Sequence, residues 1–255
     1  MMIQIIRGTA IALLATTVAI LPFSIHQYDT ANDIPASMIK SHETIRGRVV
    51  KVIDGDTLRI QHTPLLLDKY PFINNWKNRL SSNRNRKCST TDGKSNLSQC
   101  TISIRLYGID APEMARNGNP GQPYAIEAKE YITNKVMAAA DSSGSGTKNE
   151  KNQIVHVKLL GKDQYSRIIG RVTTTIPKRK LFGITTGREE DLSVGLIEQG
   201  LASLYKGGGA KYDGQRSLLE QKINTAKQKK MGIWKKNGQY VDPAIYKKEM
   251  KYARR

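Results

Sequence analysis

Apolar and polar residues alternate along several short stretches of this chain, and turn residues separate those stretches. Residues 46–52 (RGRVVKV) and 57–60 (TLRI) flank the turn dipeptide Asp54-Gly55, which predicts a hairpin over 46–61. Residues 102–106 form a third predicted strand, ending at Tyr107-Gly108. Residues 155–160 and 168–175 are two more, joined by a turn over 163–166. Elsewhere the spacing lengthens to that of a helix. Ala125, Ala128, Ile132 and Val136 share one face over 124–140, with Pro123 suited to the first turn. Residues 192–199 predict a short helix stopped by Gly200, and 217–229 a longer one that turns Leu219, Ile223 and Ala226 inward. Residues 231–234 (MGIW) return an apolar plug to the core. Five strands, a helix after the third and two helices at the end fit an α+β fold: a five-stranded OB-type β-barrel with three helices. In such a barrel, loops from several strands surround one mouth, so groups distant in sequence can meet there.

Other regions lack this alternation. Residues 8–25 (GTAIALLATTVAILPFSI) contain no charged side chain and predict one N-terminal transmembrane helix ahead of the barrel. A cleaved secretory signal is the chief alternative, although Leu-Pro-Phe-Ser-Ile-His offers a poor cleavage site; a presequence, normally richer in Arg, is another. Arg7 before the span, against Asp29, Asp33 and Glu43 opposed by Lys40 after it, points the following domain to the non-cytoplasmic or intermembrane side. The chain therefore divides into a flank (1–7), a transmembrane anchor (8–25), a polar tether (26–44), a barrel domain (45–234) and a basic tail (235–255). Within the domain, 63–100 is a polar, basic insertion whose apolar pieces at 65–67 and 70–73 are candidates for pinning it to the core. Residues 141–152 (DSSGSGTKNEKN) have the composition of a flexible loop.

Charge narrows the choice of partner. The chain carries 41 Lys and Arg against 22 Asp and Glu, a formal +19, and the charges of residues 1–40 cancel. The excess sits entirely in 41–255 and favours a polyanion, either nucleic acid or an anionic lipid surface. Two cysteines, Cys88 and Cys100, and four scattered histidines give no zinc-ligand spacing. The cysteines would close a loop in an oxidising compartment and stay as thiols in a reducing one.

The chemistry lies in short acidic and basic pieces. Asp54-Gly55-Asp56-Thr57 alone is an ordinary turn; Asp56 gains meaning where a second carboxylate approaches it, because a hard divalent cation needs several oxygen ligands. Asp110 supplies that carboxylate, and Pro112 stiffens the turn presenting Glu113, which suits a carboxylate that orients or deprotonates water. Read alone, this acidic segment is equally a helix N-terminal box. Arg105 and Arg167 add guanidinium forks for a phosphate. Any two Arg in so basic a chain mean little; their places, before Asp110 and at the end of a turn, carry the weight.

Asp54-Gly55-Asp56-Thr57, Arg105-Leu-x-Gly-Ile-Asp110-Ala-Pro-Glu113 and Asp163-x-Tyr-x-Arg167, in that order, resemble the staphylococcal nuclease (thermonuclease-like) family. The likeness runs from about Arg46 to Trp234 apart from the insertion, and includes the 194–202 helix region (VGLIEQGLA) and Gly232-Ile233-Trp234. It implies the same barrel with three helices. It further implies Ca²⁺ held by Asp56, Asp110 and the backbone carbonyl of Ala111, Glu113 on the attacking water, and Arg105 and Arg167 on the scissile phosphate. The implied activity is Ca²⁺-dependent endonuclease action on DNA with low sequence specificity, RNA being left open. The anchor narrows the resemblance to fungal membrane-anchored, mitochondria-associated endonucleases, which implies a mitochondrial membrane. A non-catalytic nucleic-acid-binding OB-type module at a membrane is the alternative, although every acidic and basic group that the resemblance expects is present; a scaffold using its charge on anionic lipid leaves the acidic residues unexplained.

Overall fold

In the barrel strands, alternate side chains face inward and the backbone groups pair with neighbours on both sides. The computed structural model describes residues 26–64, 97–116, 118–137, 154–177, 187–235 and 240–252. Strand β1 (Thr44–Val52) pairs antiparallel with β2 (Thr57–His62) and with β5 (Ile154–Lys162). Strand β2 pairs with β3 (Ile102–Leu106), and β5 with β6 (Ile168–Pro177). A parallel pairing of β3 with β6, from Ile104 opposite Ile168 to Leu106 opposite Gly170, closes these five strands into a barrel. Register shifts at Val49/Lys51 and Leu159/Gly161 mark bulges, which bend the long strands as closure requires. Inside lie Val49, Leu58, Ile60, Ile102, Ile104, Val157 and Val172, all with no measurable exposure.

A strand absent from the sequence-based expectation, β7 (Gly187–Asp191), extends the sheet beyond β6. Two short strands, β4 (Ile109–Asp110) and β8 (Ser203–Leu204), pair beside the barrel and fix the backbone at Asp110. The predicted helices are present. Between β4 and β5, α2 (Ala125–Met137) buries Ala125, Ala128, Ile132 and Val136, and Pro123 lies just outside it. Helix α3 (Leu192–Glu198) starts where the Asp191 carboxylate accepts from the Ser193 and Val194 N–H groups. It stops at Gly200, whose φ of +65° suits glycine, and the Leu201 N–H bonds back to the Leu196 carbonyl. Helix α4 (Arg216–Gln228) buries Leu219, Ile223 and Ala226.

Both ends of the described chain depart from expectation. Residues 26–44, predicted as a polar tether, lie on the barrel and include helix α1 (Ala36–Lys40). Tyr28, Ala31, Ile34 and Met38 recur at helical spacing and are buried, while the Tyr28 N–H donates to His62 Nδ1 at 3.1 Å and its ring stacks on that imidazole. Four apolar side chains among polar neighbours were too sparse to raise the average hydropathy, yet enough to dock the segment. The predicted basic tail contains helix α5 (Pro243–Tyr252). Cys100 is buried and disulfide-bonded, and Cys88 is the only other cysteine in the sequence. The predicted span at 8–25, the insertion from 65 to 96, the 141–152 loop and Cys88 itself fall outside the described residues. Among the described residues, no helix is long and apolar enough to cross a membrane.

Candidate active site

A cleft of about 630 Å³ is lined by Asp54, Asp56, Arg105, Glu113, Tyr165 and Arg167 among others. Each enters it for a local reason. In the β1–β2 turn, Asp54 Oδ1 accepts from the Asp56 N–H at 3.1 Å, while the Ile53 N–H bonds to the Thr57 carbonyl at 2.9 Å. Gly55 is required by proximity: a Cβ there would lie 2.7 Å from the Cβ atoms of both Ala111 and Ala128. The turn thus sits against the acidic segment and α2. It leaves Asp56 only 5% exposed, with the Thr57 hydroxyl donating to its Oδ1 at 2.8 Å.

Arg105 stands opposite Thr57 in the β2–β3 register. Its guanidinium bridges Asp56 at 3.0 Å and Asp110 at 2.8 Å, and both carboxylates are buried. The Tyr205 ring lies against the same guanidinium, 5.1 Å from its centroid. Burial disfavours the arginine's charge, but the two carboxylates outweigh it and raise the pKa above the ordinary arginine value. Asp110 is fixed by β4–β8 pairing, with the Ser203 hydroxyl donating to its carbonyl at 3.4 Å. Ala111 is buried beneath Gly55.

The third piece is the β5–β6 turn. Asp163 Oδ1 accepts from the Tyr165 and Arg167 N–H groups at 2.8 and 2.9 Å, and Oδ2 pairs with Arg167 Nε at 2.7 Å. Ser166 takes φ +58° to close that turn. The same guanidinium reaches back to the Thr57 hydroxyl at 3.4 Å, which joins this turn to the first. Glu113 also lines the cleft, and its N–H donates to Gln122 Oε1 at 2.9 Å.

Crowded negative charge marks the cleft. Burial first, and the Asp56 carboxylate next, push the Asp54 carboxyl up to about 7, with Glu113 adding to the effect. The donors are hard oxygens, as Ca²⁺ prefers, and a cation would relieve that repulsion. Among the described residues no three His, Cys, Asp or Glu side chains form a ready-made metal cage. The Asp56 and Asp110 carboxylates and the Ala111 main-chain carbonyl are oxygen donors of the kind such a cation takes.

Of the predicted residues, Asp56, Arg105 and Asp110 touch directly, Arg167 joins them through Thr57, and Glu113 lines the same cleft. Sequence reasoning placed Thr57 and Asp163 inside its motifs without giving their side chains a role, and assigned no part to Gln122. The contacts by which these residues and Tyr205 hold the site are announced by no local pattern. Thr30, Ala31 and Asn32 of the docked N-terminal segment also line the cleft.

Residues 103–236 match the family model described as Staphylococcal nuclease homologue. The chain is similar to "Endonuclease Htp3" of Saprolegnia parasitica, 30% identical over 221 residues, which covers 87% of this chain and 84% of that protein. It is also similar to "Probable endonuclease LCL3" of Yarrowia lipolytica, at 31% over 225 residues, 85% of this chain and 80% of that one. "Probable endonuclease lcl3" of Schizosaccharomyces japonicus is 33% identical over 211 residues, covering 82% and 76% respectively.

Proposed function

Because this chain belongs to the staphylococcal nuclease homologue family, we propose that it is a Ca²⁺-dependent endonuclease that hydrolyses phosphodiester bonds within DNA, with little sequence preference. The observation that carries this reading is the convergence of Arg105, from strand β3, and Arg167, from the β5–β6 turn, on a cleft lined by Asp56 and Glu113, with Arg105 also paired to Asp110.

Hydrolysis of a phosphodiester brings water to an anion, and charge concentrates on the phosphoryl oxygens as the new bond forms. Arg105 and Arg167 meet that charge. A guanidinium has five N–H donors, and Arg105 spends two on Asp56 and Asp110, which aim its fork without neutralising its use toward a phosphate. Asp163 and Thr57 aim Arg167 in the same way. Glu113 orients the attacking water and accepts its proton as the new oxygen–phosphorus bond forms and the ester bond breaks, the departing alkoxide taking a proton from solvent to leave as an alcohol. Asp56, Asp110 and the Ala111 carbonyl would hold Ca²⁺, whose contribution is to neutralise phosphate charge and polarise the phosphoryl group. Low specificity follows from contacts that address phosphates rather than base edges.

Circular single-stranded DNA incubated with the purified protein tests the reading. Conversion to linear molecules with Ca²⁺, and not with chelator, is the expected result. Circles that stay intact while bound by the folded protein would instead favour a binding module. The charge-free run at 8–25 supports a further element of the proposal, attachment to a membrane; the resemblance to fungal mitochondria-associated endonucleases makes that membrane mitochondrial, with the barrel on the non-matrix or non-cytoplasmic side. Resistance of the full chain to alkaline extraction from isolated mitochondria, lost on deleting 1–25, is the corresponding expectation.

A further inference from the structure

Glu113 is held from behind by one buried amide. Gln122, 8% exposed, accepts from the Glu113 N–H through Oε1 at 2.9 Å, and its own N–H donates to the Glu113 carbonyl at 2.8 Å. Its Nε2 donates to the Val241 carbonyl at 2.8 Å, from a segment 119 positions later. Two further bonds run from that segment toward the acidic residues. The Tyr246 hydroxyl donates to the Pro120 carbonyl, within the loop that carries Glu113. The Tyr240 hydroxyl donates to Ser203 Oγ at 2.7 Å, and Ser203 Oγ to the Asp110 carbonyl at 3.4 Å. Tyr240 is itself seated on Trp234, ring centroids 5.0 Å apart. Residues 240–246 lie beyond the 103–236 stretch that matches the family model.

Between this segment and the Glu113 loop lies an open pocket of about 490 Å³, lined by Pro112, Gln122, Tyr124, Tyr240, Val241 and Tyr246 among others. The Gln122–Val241 and Tyr246–Pro120 hydrogen bonds tie the two sides of that pocket together. The loop also ends under strain, since Tyr124 holds φ +68°. A non-glycine residue keeps that conformation only where its surroundings over-determine it.

We propose that Gln122 is a positioning residue: its amide locks the Glu113 backbone to residues 240–246, which act as a strap that sets the Glu113 carboxylate against the phosphate. This rests on Glu113 activating the water. Displacement of such a group by an ångström slows the chemical step without weakening substrate binding.

A double-mutant cycle on the full chain separates this role from a merely structural one. Gln122→Ala should lower kcat by about a hundredfold with KM and DNA affinity unchanged. In a Glu113→Gln background the same substitution should change the residual rate by less than about threefold, because Gln122 acts only through Glu113. Where Gln122→Ala does not fold, Gln122→Met, which keeps the volume and removes the amide, is read in the same cycle. An equal loss in both backgrounds, or a wild-type kcat for the folded Gln122 variant beside an inactive Glu113→Gln, overturns the positioning role alone. Wild-type turnover by Glu113→Gln would overturn the water-activating reading and this inference together.

Discussion

Arg105 and Arg167 are assigned parallel roles toward phosphate, yet their surroundings predict very different costs of removing them. Substitution by Met keeps most of the side-chain volume and deletes the charge. Arg105 is 11% exposed, and its partners Asp56 and Asp110 are 6% and 4% exposed at the side chain. Removing the guanidinium leaves two buried carboxylates facing each other, a loss of about 3–5 kcal/mol. For a domain of this size that lowers the melting midpoint by roughly 6–20 °C. Arg167 pairs with Asp163 at 24% and 14% exposure, four residues apart in a solvated turn. Its removal costs about 1 kcal/mol, or roughly 2–4 °C. Both variants should lose a hundredfold or more in turnover, as when one transition-state donor is removed. The assay is circular-dichroism melting of both variants in chelator and in Ca²⁺, with DNA hydrolysis measured in parallel. Calcium should restore part of the lost stability to Arg105→Met, since two unpaired carboxylates bind a divalent cation more tightly and binding stabilises the folded state. Arg167→Met should show no such extra recovery. Equal midpoints for the two variants in chelator would refute the view that Arg105 neutralises a buried acidic pair.

Two further substitutions probe the turns. In Asp163, burial raises the pKa, but N–H bonds from Arg167 and Tyr165 and the Arg167 charge outweigh it, holding the group below its ordinary 3.8. A depressed carboxylate stabilises the fold above its unfolded pKa and loses that contribution as pH falls through the folded one. Urea unfolding should therefore place Asp163→Ala about 1–2 kcal/mol below wild type at pH 7, with the gap closing as pH falls below the ordinary aspartate value. Gly55→Ala puts a methyl 2.7 Å from two other Cβ atoms and should cost about 1–3 kcal/mol. That strain falls on Ala111, so hydrolysis should require higher Ca²⁺ than in wild type, read from a Ca²⁺ titration of the rate.

The strands were legible where one face is apolar and the other polar, as in the hairpin over 46–61 and at 102–106. The closing β3–β6 pairing was not, because parallel register between Ile104 and Ile168 is set by the whole sheet rather than by either strand. Strand β7, Gly-Arg-Glu-Glu-Asp, has no apolar alternation and exists through backbone pairing with β6. Tyr28 and Met38 show the reverse case, apolar residues whose docking is hidden by the polar positions around them. At the cleft, the spacing of Asp56, Arg105, Asp110, Glu113 and Arg167 anticipated that these five would be brought near one another. Their supports were not anticipated: Gln122 reads as part of a Gly-Gln-Pro loop, and its partner Val241 is remote in the chain. Thr57 and Ser203 are equally silent until the fold places their hydroxyls on Asp56 and on the Asp110 carbonyl.

Turnover by Glu113→Gln, measured on single-stranded DNA beside its binding affinity and its melting curve, is the most direct measurement of how this cleft works. A carboxylate that takes the proton of the attacking water predicts a kcat reduced by about 10²–10⁴-fold, with affinity and melting unchanged. A folded Glu113→Gln that cleaves within a few-fold of wild type would contradict it.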